Sequence, residues 1–275
     1  MIVLKGAALA HTLYPDPGLR PMNDLDLMVR PEDLLRAIDV LGGVGYQQQN
    51  FIFHVVLTRG PKYRTTVELH WRVYPANEIT PSADEWFWSE AQSYENPTYP
   101  GCYAFSPLAE MLFLSTHLIY GHGSSPPRLI WCYEIFLLAS NHGESLNWAG
   151  LIERVRAFGW SIALYHALRI VGDRFDIPIP EGYLSELESD CEEVGIPISE
   201  NLPAGLDISV PEKTWHALEV LDGQTHIRAI KGLLFPSADF MRLFWQHQKP
   251  VWFWRLYYPI LWVFRFLIIF VIKKS

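Results

Sequence analysis

Asn23-Asp24-Leu25-Asp26-Leu27-Met28-Val29 is the stretch whose reading decides the fold. Apolar and acidic residues alternate along it. Successive side chains of a β-strand point to opposite faces, so Asp24 and Asp26 share one face while Leu25, Leu27 and Val29 point into a core. Aspartate is depleted in strands and two like charges this close repel, so the pair needs a stabilising partner. A divalent cation is the simplest one. Mg²⁺ takes oxygen ligands, commonly one or two carboxylates plus substrate phosphates, and a two-residue spacing brings two carboxylates to one point. A strand end with two solvated acids is the commoner meaning of an isolated pair, so the surrounding sequence decides.

Residues 65–71 alternate in the same way, with Val67, Leu69 and Trp71 set against Glu68 and His70. If this strand lies beside the Asp24 strand, Glu68 completes a three-carboxylate cluster of the kind that cradles two metal ions. His70 shares that face, where a structural hydrogen bond is a commoner role for histidine than ligation. Upstream, the apolar residues 2–4 run into Lys5-Gly6-Ala7-Ala8-Leu9-Ala10, a buried strand turning tightly into a helix. Gly6 permits close approach to the backbone, and the free N–H groups of a helix start suit an anion such as a triphosphate. Tyr14-Pro15-Asp16-Pro17-Gly18-Leu19-Arg20-Pro21 forms a loop. It brings Arg20 to the acidic strand, beside its carboxylates, beside a phosphate, or into solvent.

Taken in order, Leu4-Lys5-Gly6-Ala7-Ala8-Leu9, Tyr14 with Arg20, Asp24-Leu25-Asp26-Leu27 and Val67-Glu68-Leu69-His70-Trp71 resemble the nucleotidyltransferases of the DNA polymerase β superfamily, specifically an uncharacterised bacterial branch. The Lys-Gly, Arg and Asp-x-Asp order is also similar to the toxin nucleotidyltransferases of abortive-infection systems. The resemblance covers about the first quarter of the chain. It implies an α+β fold: a polymerase-β-like sheet with flanking helices, followed by a mostly helical C-terminal region. By position it implies that Lys5, Gly6, Ala7 and Arg20 bind the nucleotide. Asp24, Asp26 and Glu68 would bind Mg²⁺ or Mn²⁺ and form the catalytic set, with Glu68 helping to activate an acceptor hydroxyl. The implied substrates are an NTP and an acceptor that could be a small molecule, a protein or RNA, because one metal site serves many acceptors.

The family's helical part often carries a His, then Arg, Trp and an acid, matched here by His117, Arg128, Trp131 and Glu134. His70, His117 and Arg128 are therefore candidate acceptor-side residues, with plain helix packing as the alternative. Three features depart from the family pattern. Gly6-Ala7 stands where relatives usually have Gly-Ser or Gly-Gly, the proline loop lengthens the gap to Asp24, and relatives commonly carry helical sequence before the first strand, which here starts at Met1. The departures favour a second reading, a nucleotide-binding or scaffolding descendant without turnover, possessing a tail that could hold it at a membrane. Retention of all three acids favours the enzyme.

For the rest of the chain, Pro31 with Leu34, Leu35, Ile38 and Leu41 at helical spacing predicts a helix stopped by Gly42-Gly43. Residues 51–58 predict a strand, joined to the next by a Gly60-Pro61 turn. Trp86, Phe87 and Trp88 predict a short aromatic helix, and 101–105 one more strand. Ser106-Pro107 then opens a helical region with helices expected at 108–120, 128–140, 148–158 and 162–173. The acidic run 186–193 reads as a solvated face, and 196–211 as a linker. The expected organisation is a nucleotidyltransferase-like α/β domain over 1–105, a helical domain over 106–250 and an apolar tail over 251–275.

Within that tail, residues 251–272 open with Trp252, Trp254, Tyr257 and Tyr258 and end before Lys273-Lys274, a pattern of membrane-interface anchoring. Arg265 costs roughly 2.5 to 3.5 kcal/mol near a bilayer centre, against roughly 0.3 to 0.6 returned by each Leu, Ile, Val or Phe. A span, an interfacial helix and a buried helix all stay open.

Composition bounds the partners. A net charge of -8 with no Lys/Arg-dense face argues against nucleic acid as the main partner, and no DNA partner is expected. High aromatic content and low charge fit a folded chain. Cys102, Cys132 and Cys191 are odd in number and far apart, which predicts buried thiols in a reducing compartment and no disulfide framework or zinc site. Met1-Ile2-Val3-Leu4 is too short for a signal peptide, so a cytoplasmic location is expected, with membrane association through the tail left open. His117 and His122 do not share a helix face, and no HExxH or GxSxG occurs, which counts against a zinc protease or a serine hydrolase.

Overall fold

The computed structural model describes residues 1–51, 54–60, 65–73, 81–94, 100–121 and 127–193. All of them belong to one compact unit, Met1–Gly205; a second unit, Leu206–Ser275, lies outside the described residues, as do the expected linker at 196–211 and the apolar tail. No helix among the described residues is long and apolar enough to cross a membrane.

The framework is a mixed sheet built from β1 (Ile2–Val3), β2 (Asp24–Met28), β3 (Gln47–Phe51), β4 (Val55–Arg59), β5 (Thr65–His70), β6 (Ala91–Ser93) and β7 (Tyr103–Phe105). Its seven strands lie in the order β3-β4-β5-β2-β1-β7-β6. β3, β4 and β5 form an antiparallel meander, β5 then runs parallel to β2, and β1 joins β2 antiparallel to β7 parallel.

The predicted alternation of β2 and β5 is realised, and the pairing fixes which residues meet. Asp24 lies opposite Thr66, Asp26 opposite Glu68 and Met28 opposite His70. One face of the sheet therefore carries Asp24, Asp26, Glu68 and His70. The other carries Leu27, Val55, Leu57, Val67 and Leu69, all buried. The single strand predicted over 51–58 is instead the end of β3 and most of β4, paired antiparallel. β3 is an edge strand whose Gln47 and Gln48 give no apolar alternation, so periodicity could not reveal it.

The helices are α1 (Lys5–Thr12), α2 (Leu34–Gly43), α3 (Pro81–Ser89), α4 (Pro107–Thr116), α5 (Leu129–His142), α6 (Trp148–Phe158), α7 (Ser161–Gly172) and α8 (Tyr183–Glu193). α4 starts where Ser106-Pro107 predicts: the Ala109 N–H donates to the Ser106 hydroxyl, and Pro107 occupies the first turn, where its missing N–H costs nothing. Every residue from Ala109 to Thr116 is buried, so α4 is the central rod of the helical layer, with α5 and α7 against it. The helix expected to continue to residue 120 ends at Thr116 and gives way to a π turn over His117–Gly121. Phe87 of α3, Phe105 of β7 and Phe113 of α4 form a ring cluster that ties this layer to the sheet, with centroids 5.0 to 6.3 Å apart.

The acidic run in α8 is less solvated than expected. Leu187 and Cys191 are buried, Glu186 and Asp190 pair with Arg156, and Glu188 accepts from the Tyr165 hydroxyl. One side of α8 docks, and its acids find partners across the joint. All three cysteines are free and buried.

Candidate active site

β1 delivers the chain directly to the acidic face. The Leu4 N–H donates to the Asp26 carbonyl at 3.0 Å, and Lys5 follows with a left-handed φ of 47°. An L residue held in that region costs on the order of 1–3 kcal/mol and persists only where its surroundings over-determine it. Here the Lys5 ammonium meets the Asp26 carboxylate, Nζ to Oδ1 2.7 Å. His70 Nε2 approaches the same oxygen at 2.8 Å. Beside it, Glu68 Oε2 lies 3.9 Å from His70 Nε2 and 3.3 Å from His54 Nε2.

Charge is distributed unevenly over this face. Burial opposes ionisation of Asp26, but the Lys5 ammonium and the His70 hydrogen bond outweigh it and hold the carboxyl well below the usual range. Glu68 is held low in the same way: burial is opposed by the hydrogen bond and charge of His54. Asp24, exposed as a residue, is pushed up by partial loss of water around its carboxyl first and then by the negative charges of Asp26 and Glu68. Burial lowers His70 despite its bond to Asp26, which favours the neutral imidazole.

A second polar group lies at the start of α1. Arg20 is neither solvated nor paired with the acidic strand: its Nε donates to Glu134 of α5 at 2.5 Å, and its Nη1 donates to the Pro21 carbonyl. Both side chains of the Arg20–Glu134 pair are largely buried. Gly6 makes this possible, because a Cβ there would stand 3.2 to 3.3 Å from the guanidinium atoms of Arg20. Lys5, Arg20, Leu114, His117, Trp131 and Glu134 line a cavity of about 20 Å³, large enough for one water. Tyr14 and Glu110 belong to the same buried polar region. The Tyr14 hydroxyl is pushed up to about 12 and the Glu110 carboxyl to about 8, in each case by burial and then by the charge of Glu134. Neither Tyr14 Oη nor Glu110 Oε1 has a hydrogen-bond partner among the described residues.

The residues singled out in the sequence thus fall into two adjoining groups. Asp24, Asp26, Glu68 and His70 share the sheet face, and Lys5 reaches it from α1. Arg20 stands with His117, Trp131 and Glu134 around the small cavity and Gly6 lies against the Arg20 guanidinium, while Ala7 is buried in the first turn of α1. Arg128 is exposed and stacks its guanidinium over Trp131 at 5.1 Å, and among the described residues that ring is its link to the group. His54 and Glu110 were missed. The signal for His54 is the β4–β5 register: Val55 opposite Leu69, continued by one residue, sets His54 against His70. Glu110 carries no local signal, since an acid in a helix's first turn is ordinarily a solvated one.

The carboxylate-bearing face of the sheet thus lies next to a helix start that has no side-chain cap and carries Lys5. The family model described as uncharacterised nucleotidyltransferase matches residues 1–176, from β1 through the end of α7, and the chain belongs to that family. No curated protein and no solved structure matches the chain.

Proposed function

We propose that the protein is a metal-dependent nucleotidyltransferase that moves a nucleoside monophosphate from an NTP to an acceptor hydroxyl or amine and releases pyrophosphate. The observation that carries this is the carboxylate set itself. Asp24, Asp26 and Glu68 share one sheet face, and the charges of Asp26 and Glu68 help to hold Asp24 up. That excess of negative charge suits a cation, and an all-oxygen donor set suits Mg²⁺ or Mn²⁺. When bound, the ion polarises the phosphoryl group and lowers the pKa of the acceptor.

The chain's own residues supply the rest. Asp24, Asp26 and Glu68 hold the ion, and Glu68, ionised and at the half-open edge of the cluster, helps take the acceptor's proton. The start of α1 has no side-chain cap, and its first N–H groups are assigned to phosphate oxygens. Lys5 and Arg20 add positive charge there. His70, His117 and Arg128 are assigned to the acceptor side. Binding without turnover is the competing reading, and one observation favours it: Lys5 and His70 both engage Asp26 Oδ1, one of the two oxygens this carboxylate offers an ion.

The deciding experiment is transfer of label from α-³²P NTPs with Mg²⁺ or Mn²⁺ into a mixture of small molecules, RNA and protein, comparing wild type with Asp24→Asn. Label that appears only with wild type establishes the reaction, and its migration gives the acceptor class. No label, from folded protein that still binds NTP, moves the function to sensing or scaffolding. A companion result is expected for Gly6→Ala, whose Cβ forces the Arg20 guanidinium away by a few tenths of an ångström. The KM for NTP should rise roughly 3- to 10-fold, about 1 kcal/mol, with kcat little changed. An unchanged KM removes Arg20 from the nucleotide site.

A further inference from the structure

We infer that His54, Glu68 and His70 form a binding site for a divalent transition ion of the Zn²⁺ class, chemically distinct from the all-oxygen set of Asp24, Asp26 and Glu68. The inference does not rest on the nucleotidyltransferase reading, although Glu68 is common to both.

One ligand atom from each of the three residues lies within 4.8 Å of the others. Glu68 Oε2 stands 3.3 Å from His54 Nε2 and 3.9 Å from His70 Nε2. Ligands bound at about 2.0 to 2.2 Å in a tetrahedron sit roughly 3.4 Å from one another, so the group closes on an ion by side-chain movements on the order of an ångström. The backbone already holds the three together: Val55 opposite Leu69 and Val56 opposite Glu68 lock the start of β4 against the end of β5. Two imidazoles and one carboxylate are a donor set that suits Zn²⁺, Co²⁺ or Ni²⁺ and suits Mg²⁺ poorly. Three protein ligands with a fourth position open is also the arrangement of zinc ions that meet solvent or substrate. The His54 and Glu68 side chains retain 30% and 21% exposure, which gives an ion its route in. Binding draws His70 Nε2 from Asp26 Oδ1, 2.8 Å away, to the ion, and leaves the Asp26 carboxylate paired with Lys5.

The test uses the full-length, chelator-treated protein and Zn²⁺ in competition with a chromophoric chelator. One equivalent of Zn²⁺ should bind in the presence of excess Mg²⁺. His54→Ala should weaken it more than about 10-fold, since even an outer partner's loss costs that much, and Asp24→Asn should leave it unchanged. Co²⁺ added to wild type should give the intense visible bands of nitrogen-ligated, low-coordinate cobalt, a readout that needs no variant. The site is overturned by absence of stoichiometric Zn²⁺ binding, by full affinity in His54→Ala, by equal loss in Asp24→Asn, or by a cobalt spectrum like that of the aqueous ion. Label transfer measured on the same preparations separates the two ideas. Zn²⁺ binding without transfer leaves this site standing and removes the enzyme, and Mg²⁺-driven transfer without Zn²⁺ binding does the reverse.

Discussion

Asp26→Asn is expected to abolish nucleotidyl transfer and to lower stability as well, whereas Asp24→Asn abolishes transfer alone. Alternation in the sequence treats the two acids alike, but their surroundings differ. Asp26 is 6% exposed and satisfies both the Lys5 ammonium and His70, while Asp24 is exposed. Removing one partner of a buried ion pair costs about 3–5 kcal/mol, because the other charge stays behind unpaired. Lys5 keeps some contact with water, so the lower end applies, about 3 kcal/mol, or a fall in Tm of roughly 6–12 °C at roughly 2–4 °C per kcal/mol. Loss of a metal-holding carboxylate removes several kcal/mol of transition-state stabilisation, a rate loss of at least about 10³-fold. Pyrophosphate release and thermal melts on the two variants check both halves. Equal melting temperatures would show that the Lys5–Asp26 pair contributes nothing to the fold, and full turnover in either variant would remove the metal site.

The second large effect is a pH-dependent stability centred on Glu110. Its carboxyl is fully enclosed within α4 and lies near 8 instead of its ordinary 4.5, because burial, and then the charge of Glu134, disfavour ionisation. The folded chain therefore keeps a proton that the unfolded chain releases across this window. With more protons bound to the native state, stability is fully present below about pH 4.5 and is lost as pH rises toward about 8. At 1.36 kcal/mol per pH unit the whole change is on the order of 3–5 kcal/mol. Glu110→Gln, which has the shape of the protonated acid, should abolish this slope. It should be more stable than wild type at pH 8 and nearly equal to it at pH 4.5, as read from urea unfolding. A stability difference that is the same at both pH values would mean that Glu110 does not titrate in the folded protein.

Much of this was legible in the sequence where the pattern is local. The two acid-bearing strands declared themselves by alternation, and α2, α6 and α7 by period, proline and glycine. What the sequence withheld was partnership across distance. Nothing near Arg20 indicates that its carboxylate lies 114 positions away at Glu134. Nothing in an apolar run over 51–58 separates β3 from β4, and with that hairpin hidden, His54 had no reason to be placed against Glu68 and His70. Burial decided the rest: the same residue type, aspartate, is a paired structural ion at position 26 and an exposed one at position 24.

The pairing of β2 between β1 and β5 also determines where the chain can change in length. Residues added to the proline loop at 13–23 only lengthen a connection, at a closure cost that grows slowly with its size. A residue inserted between Asp24 and Asp26 exchanges the two faces of everything beyond it, sending one carboxylate into the apolar core and a leucine to the polar side. Slippage cannot relieve this, because β2 is hydrogen-bonded on both edges. Changes in length are thus expected to be tolerated in the loops, and five residues, Asp24–Met28, form a fixed ruler against which the positions of Glu68 and His70 are measured.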